Sequence, residues 1–259
     1  MNRIIVFALM FFCMTMQIEA QTLSEEEVTA KMYQAFELNK AAKKAEALEL
    51  FLIVGENTKQ QRNEGERQVY VCSQTMACQC YELLGRYKEG YLLGKSLLQG
   101  KLNDTERKDV GHLYAMNGYM YACEFIQRDE KGRADYKRGR ELISEILPYS
   151  DGQVKEYAET KIPLSWYFEG AQYAMTQSYD EALSSYEEAL NGFRDLGRVS
   201  EEVDVLSGIA SVKAHLCKFD EAKRVYYQAF VLAHQNGKVN KQMDVLRELW
   251  SLGNSTGDM

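Results

Sequence analysis

The side chains best suited to chemistry are the three histidines, His112, His215 and His234, and none has a catalytic partner nearby in the sequence. A hydrolytic triad needs a nucleophile and a base held by an acid, and no such pattern accompanies these residues. His234 falls near the predicted end of a helix, where the helix dipole favours a cation. His112 and His215 fall within predicted helices, where ligand contact is the alternative to a surface role. The sequence therefore predicts no enzyme and no catalytic residue.

The cysteine and glycine patterns also do not match the motifs of a metal site or a phosphate-binding site. Cys78 and Cys80 form a C-x-C on a predicted helix, where residues two apart point to different sides. A zinc site would need two such pairs or histidine partners at suitable spacing. The segment from Gly90 to Ser96 has three residues between its glycines, whereas a phosphate-binding loop has four and follows a strand. We expect buried apolar cysteines, no metal and no cofactor.

The composition is that of a folded, helical protein. Of 259 residues, 46% are apolar and 27% are charged, which is too apolar for a disordered chain. Pro148 and Pro163 are the only prolines, so long segments can keep an uninterrupted helical hydrogen-bond ladder. The net charge of -7 repels phosphate backbones. These totals favour an all-α protein and argue against nucleic acid as a main partner.

The first twenty residues differ from the rest of the chain. Arg3 precedes an apolar run from Ile4 to Met14, and Ala20 occupies the place of a small residue before a cleavage site. This pattern is typical of a secretory signal peptide over residues 1–20, with a buried first helix or a lipidated Cys13 as the alternatives. No later apolar run is long enough to span a bilayer. We expect an exported protein, periplasmic or extracellular, without a membrane span in its mature chain, residues 21–259.

A pattern of small and aromatic residues recurs along the mature chain. It reads W-x3-G-x2-Y and then A-x3-Y-x2-A, and the second half returns forty residues later. Both copies of the second half contain aromatic-Asp-Glu-Ala-x3-Tyr-x2-Ala. The residues at these positions are Trp166, Gly170, Tyr173, Ala182, Tyr186, Ala189, Ala222, Tyr226 and Ala229. Such self-similarity predicts a repeat architecture.

This pattern resembles the tetratricopeptide repeat (TPR), with Glu169 as a departure where that family usually has Leu. Weaker copies of the pattern occur upstream. In them Ala47, Gly90 and Gly139 occupy the small-residue position, and Phe51 occupies the aromatic position that follows Ala47. The equivalent small residues are 43, 49, 43 and 40 residues apart. The usual period of the family is about 34 residues, so longer helices or expanded turns are expected.

The resemblance implies an all-α fold, an α-solenoid of about five antiparallel helix pairs followed by a C-terminal helix. The predicted units are residues 24–62, 63–102, 104–150, 152–196 and 198–237, with the terminal helix at 239–252. Within each pair, the small residues allow close helix approach and the aromatic residues fill the gap one turn later. Pro163 is expected in the first turn of the helix that carries Trp166, where a missing N–H does no harm.

In the resembled family, the first helices of the units line a concave groove that receives an extended peptide or a helix. The resemblance places the following residues on that face: Thr75, Gln79, Met116, Tyr119, Tyr167, Ala171, Ser211 and His215. They include no Lys, Arg and Asn set for a C-terminal carboxylate, so binding of chaperone tails is not indicated. An aromatic and polar groove with some Met suits partly apolar peptides or an amphipathic helix.

The resulting prediction is a protein- or peptide-binding scaffold or adaptor that acts outside the cytoplasm. The alternative is the sensor region of a larger membrane-bound signalling protein, a histidine kinase or transcription regulator, since the sequence stops at a turn typical of the family interior. A membrane-anchored partner or a C-terminal extension would then follow. An enzyme subunit or a carbohydrate-uptake component is a third alternative, which no residue pattern selects.

Overall fold

The computed structural model describes residues 23–127 and 134–256, so the signal peptide predicted at 1–20 lies outside the described residues. Within these ranges the chain forms α-helices, one short 3-10 helix and no strand. The helices are α1 (Glu25–Lys40), α2 (Lys44–Thr58), α3 (Glu64–Leu83), α4 (Tyr87–Leu98), α5 (Asp104–Ile126), α6 (Tyr136–Ile146), α7 (Gly152–Met175), α8 (Tyr179–Asp195), α9 (Val199–His215), α10 (Phe219–Gln235) and α11 (Val239–Thr256). The 3-10 helix, Leu147–Tyr149, follows α6. The predicted all-α class with TPR-like helix pairs is confirmed.

Tight turns of one kind separate the helices from α7 to α11. The second residue after each helix end adopts a left-handed conformation, with φ of 62° at Gln177, 64° at Gly197, 59° at Cys217 and 66° at Gly237. The next amide then bonds back to the helix, as from Ser178 N to the carbonyl of Tyr173 at 2.9 Å. This Schellman arrangement satisfies the last carbonyls and reverses the chain within a few residues. Consecutive helices therefore run antiparallel.

The described helices form two compact units, one ending at Val110 and one beginning at Gly111 within α5. In the first unit, α2 packs against α1 and α3, and α4 packs against α3. Its core contains the fully buried Ala47 and Phe51, and the Phe36 ring meets Phe51 edge-on at a centroid distance of 5.4 Å. Gly90 of α4 is also buried. The division of residues 21–259 into repeats stays a prediction.

In the second unit, each helix from α6 to α11 packs against its neighbour in the sequence. Tyr186 of α8 fills the space between α7 and α9. A Cβ atom built at Gly170 would lie 2.8 Å from Tyr186 Cδ1, and one at Gly208 would lie 2.9 Å from Tyr186 Cζ. Helices α7 and α9 therefore approach this ring more closely than larger residues would allow. The other motif residues that are buried here are Gly139, Ala182, Ala189, Ala222, Tyr226 and Ala229, while Trp166 and Tyr173 are partly buried.

Helix α7 is continuous through Pro163, so the prediction that this proline lies in the first turn of a helix is wrong. Proline lacks the N–H that would bond to the carbonyl of Glu159, which normally weakens a helix interior. Here its ring is buried against α8, where a Cβ atom at Gly192 would lie only 2.8 Å from Pro163 Cβ. Packing of the ring against this glycine offsets the lost hydrogen bond.

The Glu169 departure from the family pattern has a partner on α6. Arg140 Nη2 lies 2.8 Å from Glu169 Oε2, and the two side chains are only 11% and 18% exposed. The Arg140 guanidinium also covers the Trp166 ring at 3.4 Å from its centroid and donates to Ser165 Oγ at 3.3 Å. An ion pair under a cation–π contact thus replaces the apolar contact of a leucine.

No helix within residues 23–127 and 134–256 has the length and apolarity needed to cross a bilayer.

Candidate functional site

The predicted groove residues are divided between the two compact units. Thr75 and Gln79 lie on α3 of the first unit, where Thr75 Oγ1 donates to the carbonyl of Val71 at 2.7 Å and Gln79 is exposed. The other six lie on α5, α7 and α9 of the second unit. Met116, Tyr119, Tyr167, Ala171 and Ser211 are partly buried there, and His215 is exposed. The role of all eight residues in binding stays a prediction.

Two clefts open on these helices of the second unit. The first, the aromatic–basic cleft, has a volume of about 180 Å³, and its lining includes Tyr119, Glu156, Tyr157, Lys161 and Arg198. The rings of Tyr119 and Tyr157 stack across α5 and α7 with centroids 6.3 Å apart and planes 26° apart. Tyr157 remains 53% exposed despite this stack. Its outer face is therefore open to a further apolar or aromatic group.

The charges of the aromatic–basic cleft are only partly balanced. Arg198 Nη2 pairs with Glu201 at 2.9 Å, and its Nη1 lies 3.9 Å from Glu156. Over the described part of the chain, no carboxylate lies within ion-pair distance of Lys161 Nζ. Burial raises the pKa of Tyr119, so its hydroxyl is neutral at physiological pH and can donate a hydrogen bond. The part of the cleft around Lys161 therefore favours an anionic group.

An ion pair joins α9 and α11 beside Tyr167. Lys241 Nζ of α11 lies 2.5 Å and 2.6 Å from the two carboxylate oxygens of Asp204 on α9. Tyr167 lies beside this pair, and burial followed by the nearby Asp204 charge raises the pKa of its phenol. The Tyr167 ring also packs on Tyr186 at a centroid distance of 5.8 Å. This part of the surface is fixed by packing rather than open to a ligand.

The second cleft, the histidine cleft, has a volume of about 260 Å³ and is lined by Ser211, His215, Phe219, Tyr226 and Glu248. His215 Nδ1 lies 2.8 Å from the carbonyl oxygen of Ser211. Because a carbonyl only accepts, Nδ1 carries the proton of a neutral ring and Nε2 is left as an acceptor. Burial, with the neighbouring Glu248 charge, raises the pKa of Tyr226 to about 12. This cleft offers one acceptor nitrogen, one carboxylate and two aromatic rings.

A metal site and a reactive thiol each place specific requirements on the described residues. No group of three His, Cys, Asp or Glu residues in the described ranges is arranged to hold a metal ion. Burial raises the pKa of the Cys78 thiol to about 12 and also raises that of Cys123. Thiols with raised pKa values are poor nucleophiles because little thiolate forms. The side chains that line the two clefts can stack, donate and accept hydrogen bonds, and form ion pairs.

The sequence prediction missed the residues that give these clefts their charge. Tyr157 and Lys161 lie one to two turns before Leu164 on the same helix, and reading α7 through Pro163 would have found them. Arg198 could have been found from its repeat at Lys238, because Gly197-Arg198-Val199 returns as Gly237-Lys238-Val239. No sequence signal pairs Asp204 with Lys241, which are 37 residues apart.

No protein-family model matches the chain, and no curated protein matches it. Three solved structures illustrate the likeness that does exist. A thermophilic TPR protein of Thermus thermophilus is 16% identical over 87% of this chain and 98% of that one, with a TM-score of 0.33. The TPR2AB domain of yeast Sti1, in a complex with pHSP90, is 9% identical over 89% and 100%, with a TM-score of 0.36.

A Rap protein complexed with competence and sporulation factor is 13% identical over 91% of this chain and 67% of that one, with a TM-score of 0.32. Likeness of this extent carries no inference about ligands. The TPR-like character of the chain rests on its own motif and on the paired helices that the motif residues hold together.

Proposed function

We propose that this chain is a helical-repeat scaffold that binds a peptide segment or an amphipathic helix of a partner protein. The observation that carries the proposal is the aromatic–basic cleft, where Tyr119 and Tyr157 stack beside Lys161 and Arg198. A ring with one open face can pack against an apolar or aromatic side chain, and the cations can bind a carboxylate. The preferred ligand has an aromatic or large apolar residue next to an acidic one.

The exposure of the cleft residues supports a binding role over a packing role. A ring that served only the core would be largely buried, as Tyr186 and Tyr226 are at 4% and 3%. Tyr157 instead leaves 53% of its surface in water. Tyrosine and arginine are among the residue types that most often dominate protein binding.

The proposal includes action by binding and not by turnover. Its support is chemical: burial raises the pKa values of Cys78, Cys123, Tyr119 and Tyr226, which keeps these groups protonated and weakly nucleophilic. On this proposal, the chain binds a partner segment in the aromatic–basic cleft and leaves it chemically unchanged.

A selection from a phage library of random dodecapeptides against the full chain tests the binding role. We expect the selected peptides to combine an aromatic or large apolar residue with Asp or Glu and to bind more weakly as salt is added. Titration calorimetry of one such peptide should show about a tenfold loss of affinity for Lys161→Glu, which corresponds to about 1.4 kcal/mol. Tyr157→Ala should cause a comparable loss.

Lys155→Glu is the matched control, because it makes the same charge change on α7 at a residue that does not line the cleft and is 56% exposed. Its affinity should stay within about twofold of the wild type. Equal losses for Lys155→Glu and Lys161→Glu, or a library that enriches no sequence, would contradict the binding role assigned to the cleft.

Action outside the cytoplasm belongs to the same proposal and rests on the signal-peptide pattern of residues 1–20. Cell fractionation with intact-mass measurement of the native protein tests it. The expected species is soluble, extracytoplasmic and begins at Gln21. A membrane-bound species of much larger mass would favour the sensor region of a signalling protein, and a cytoplasmic species that retains Met1 would contradict export.

A further inference from the structure

Helix α11 exposes a continuous row of large apolar side chains, the apolar stripe. Its members are Val239, Met243, Leu246 and Trp250, which are 64%, 51%, 43% and 69% exposed. Their spacing of four, three and four residues puts them on one face of the helix. The helix is held to its own unit by a different face, which contains the buried Val245 and Leu252.

The apolar stripe has a buried counterpart in α9. The sequence Met243-Asp-Val-Leu246 repeats Val203-Asp-Val-Leu206 at an offset of forty residues, as does the preceding Gly-Lys-Val turn. In α9 the counterparts Val203, Leu206 and Ala210 are 1%, 6% and 0% exposed. They belong to the core that also contains Ala222 and Tyr226 of α10, the helix that follows. On α9, three of these four positions are therefore buried in a core between packed helices, and Val199, the counterpart of Val239, is partly buried.

Cations border the apolar stripe on the side of α10. Lys223, Arg224 and the 63% exposed Tyr227 line a cleft of about 500 Å³ together with Leu249 of α11. The apolar stripe thus has the same spacing as the α9 residues that pack in the helical core, and a positively charged border lies beside it. A helix that covered it would place its own edge residues against Arg224 and Lys223.

We propose that the apolar stripe docks an amphipathic helix of a partner protein, one whose apolar face is bordered by acidic residues. The charge of the border selects acidic edge residues, because carboxylates there would lie near the Arg224 guanidinium. Trp250 occupies the position of the small Ala210, so the docked helix needs a small residue opposite its indole. This surface is separate from the aromatic–basic cleft and does not depend on it.

Two segments of the chain itself serve as matched probes. Both α8 (Tyr179–Asp195) and α10 (Phe219–Gln235) contain the Ala-x3-Tyr-x2-Ala face of a second helix. Helix α8 has five carboxylates and one arginine, a net charge of -4, whereas α10 has two carboxylates, one lysine and one arginine, a net charge of 0. Synthetic capped peptides of these two sequences share that face and differ in charge at its edge, and also in apolar residues at other positions.

The test titrates the full chain with each peptide and follows peptide anisotropy together with tryptophan emission. We expect the α8 peptide to saturate and to shift the Trp250 emission to shorter wavelength, since its indole would leave water. The α10 peptide should bind about tenfold more weakly, because it lacks the acidic edge. Trp250→Phe should remove the emission shift, and Arg224→Glu should weaken binding of the α8 peptide alone.

Leu246→Glu should abolish binding, and Leu92→Glu on α4 is its matched control at a similarly exposed leucine, 51% against 43%. Circular dichroism should show the same helix content in both variants, because neither residue is buried. If Leu246→Glu binds the α8 peptide like the wild type, or if Lys161→Glu abolishes binding instead, the proposal is overturned.

Other occupants give different results in the same experiments. A dimer in sedimentation that Leu246→Glu dissociates, without peptide binding, would assign the stripe to a second copy of the chain. A longer native polypeptide in which iodide fails to quench Trp250 would assign it to a further helix of that polypeptide. Either result overturns docking of a partner helix.

Discussion

The helix pairs α7–α8 and α9–α10 share the second-helix half of the motif, forty residues apart, but have different contacts around it. In both pairs an alanine and a tyrosine of the second helix are buried, at Ala182 and Tyr186 and at Ala222 and Tyr226. Three residues after Trp166, α7 has Glu169 in an ion pair. The equivalent residue of α9 is Ile209, which is 8% exposed. The comparison teaches that the small and aromatic positions define the helix pair, while neighbouring positions accept either charge or hydrocarbon if a partner satisfies them.

The largest expected difference between the pairs concerns the charge of α7. Arg140→Ala should lower the free energy of unfolding by about 3 kcal/mol, because it leaves the Glu169 carboxylate nearly buried without its partner. Arg198→Ala, which removes the partner of Glu201 on α9, should cost less than about 1 kcal/mol, since the two side chains are 41% and 29% exposed. Urea unfolding of both variants makes the comparison.

Replacement of both partners sharpens this test. The double variant Arg140→Leu with Glu169→Leu should recover most of the stability that Arg140→Ala loses, because a buried ion pair contributes little beyond what an apolar contact would supply. If the double variant is as unstable as Arg140→Ala, the packing of Arg140 on Trp166 matters more than its charge.

The second expected difference concerns the room beside Tyr186. Gly170→Ala should lower the free energy of unfolding by about 1–3 kcal/mol, since the new Cβ atom would lie 2.8 Å from Tyr186 Cδ1. At the equivalent position of α9, Ala210→Gly should cost about 1 kcal/mol through helix propensity. Thermal unfolding measures both changes, and a stabilised Gly170→Ala would show that Tyr186 can move away.

The turns provide a third, smaller difference. Cys217→Gly should raise the free energy of unfolding by about 1 kcal/mol, because the left-handed conformation is strained for a side chain but not for glycine. Gln177→Gly should act in the same direction at the end of α7. Gly197→Ala, with φ of 64°, is the reciprocal control and should destabilise the chain. Chemical denaturation of the three variants tests the sign at each turn.

The smallest expected difference is a dependence on pH in α9–α10. The hydrogen bond from Lys213, 2.6 Å from Glu221 Oε2, lowers the pKa of Glu221 in the folded chain. The pair therefore contributes its stability above the pKa of Glu221 in the unfolded chain and loses it as the pH falls through the lower folded-state pKa. In α7–α8, Tyr173 occupies the place of this lysine.

Lys213→Met should remove this contribution, so that acid destabilises the variant less than the wild type. Glu181→Gln in α8 changes the carboxylate equivalent to Glu221 and should leave the acid response close to that of the wild type. Unfolding curves between neutral and acidic pH compare the two. An unchanged acid response in Lys213→Met would show that the ion pair contributes nothing to folding.

The sequence was sufficient for the helix pairs because their pattern is local. The spacing from Ala182 to Tyr186 and Ala189 lies within one helix, and its repetition at Ala222 shows that the same contact is made twice. Such residues act through size and position along a helix, and both properties can be counted along the chain. The all-α class followed from them directly.

The sequence was insufficient where a partner lies far along the chain. Glu169 departs from the family pattern, and its partner Arg140 is 29 residues away on another helix. Pro163 signals a helix start in isolation, yet its ring packs on Gly192 of α8 and the helix continues through it. Because α7 was expected to begin there, Tyr157 and Lys161 were not recognised as neighbours of Tyr119.

The proline divides α7 into two halves. The helix has 24 residues, about 36 Å in length, and Tyr157 and Lys161 precede Pro163 while Trp166 and Gly170 follow it. Both halves contribute to the core, since Ala158 before the proline and Gly170 after it are buried. Tyr157 is 53% exposed, so we expect that a substitution there can change recognition with little loss of folding stability.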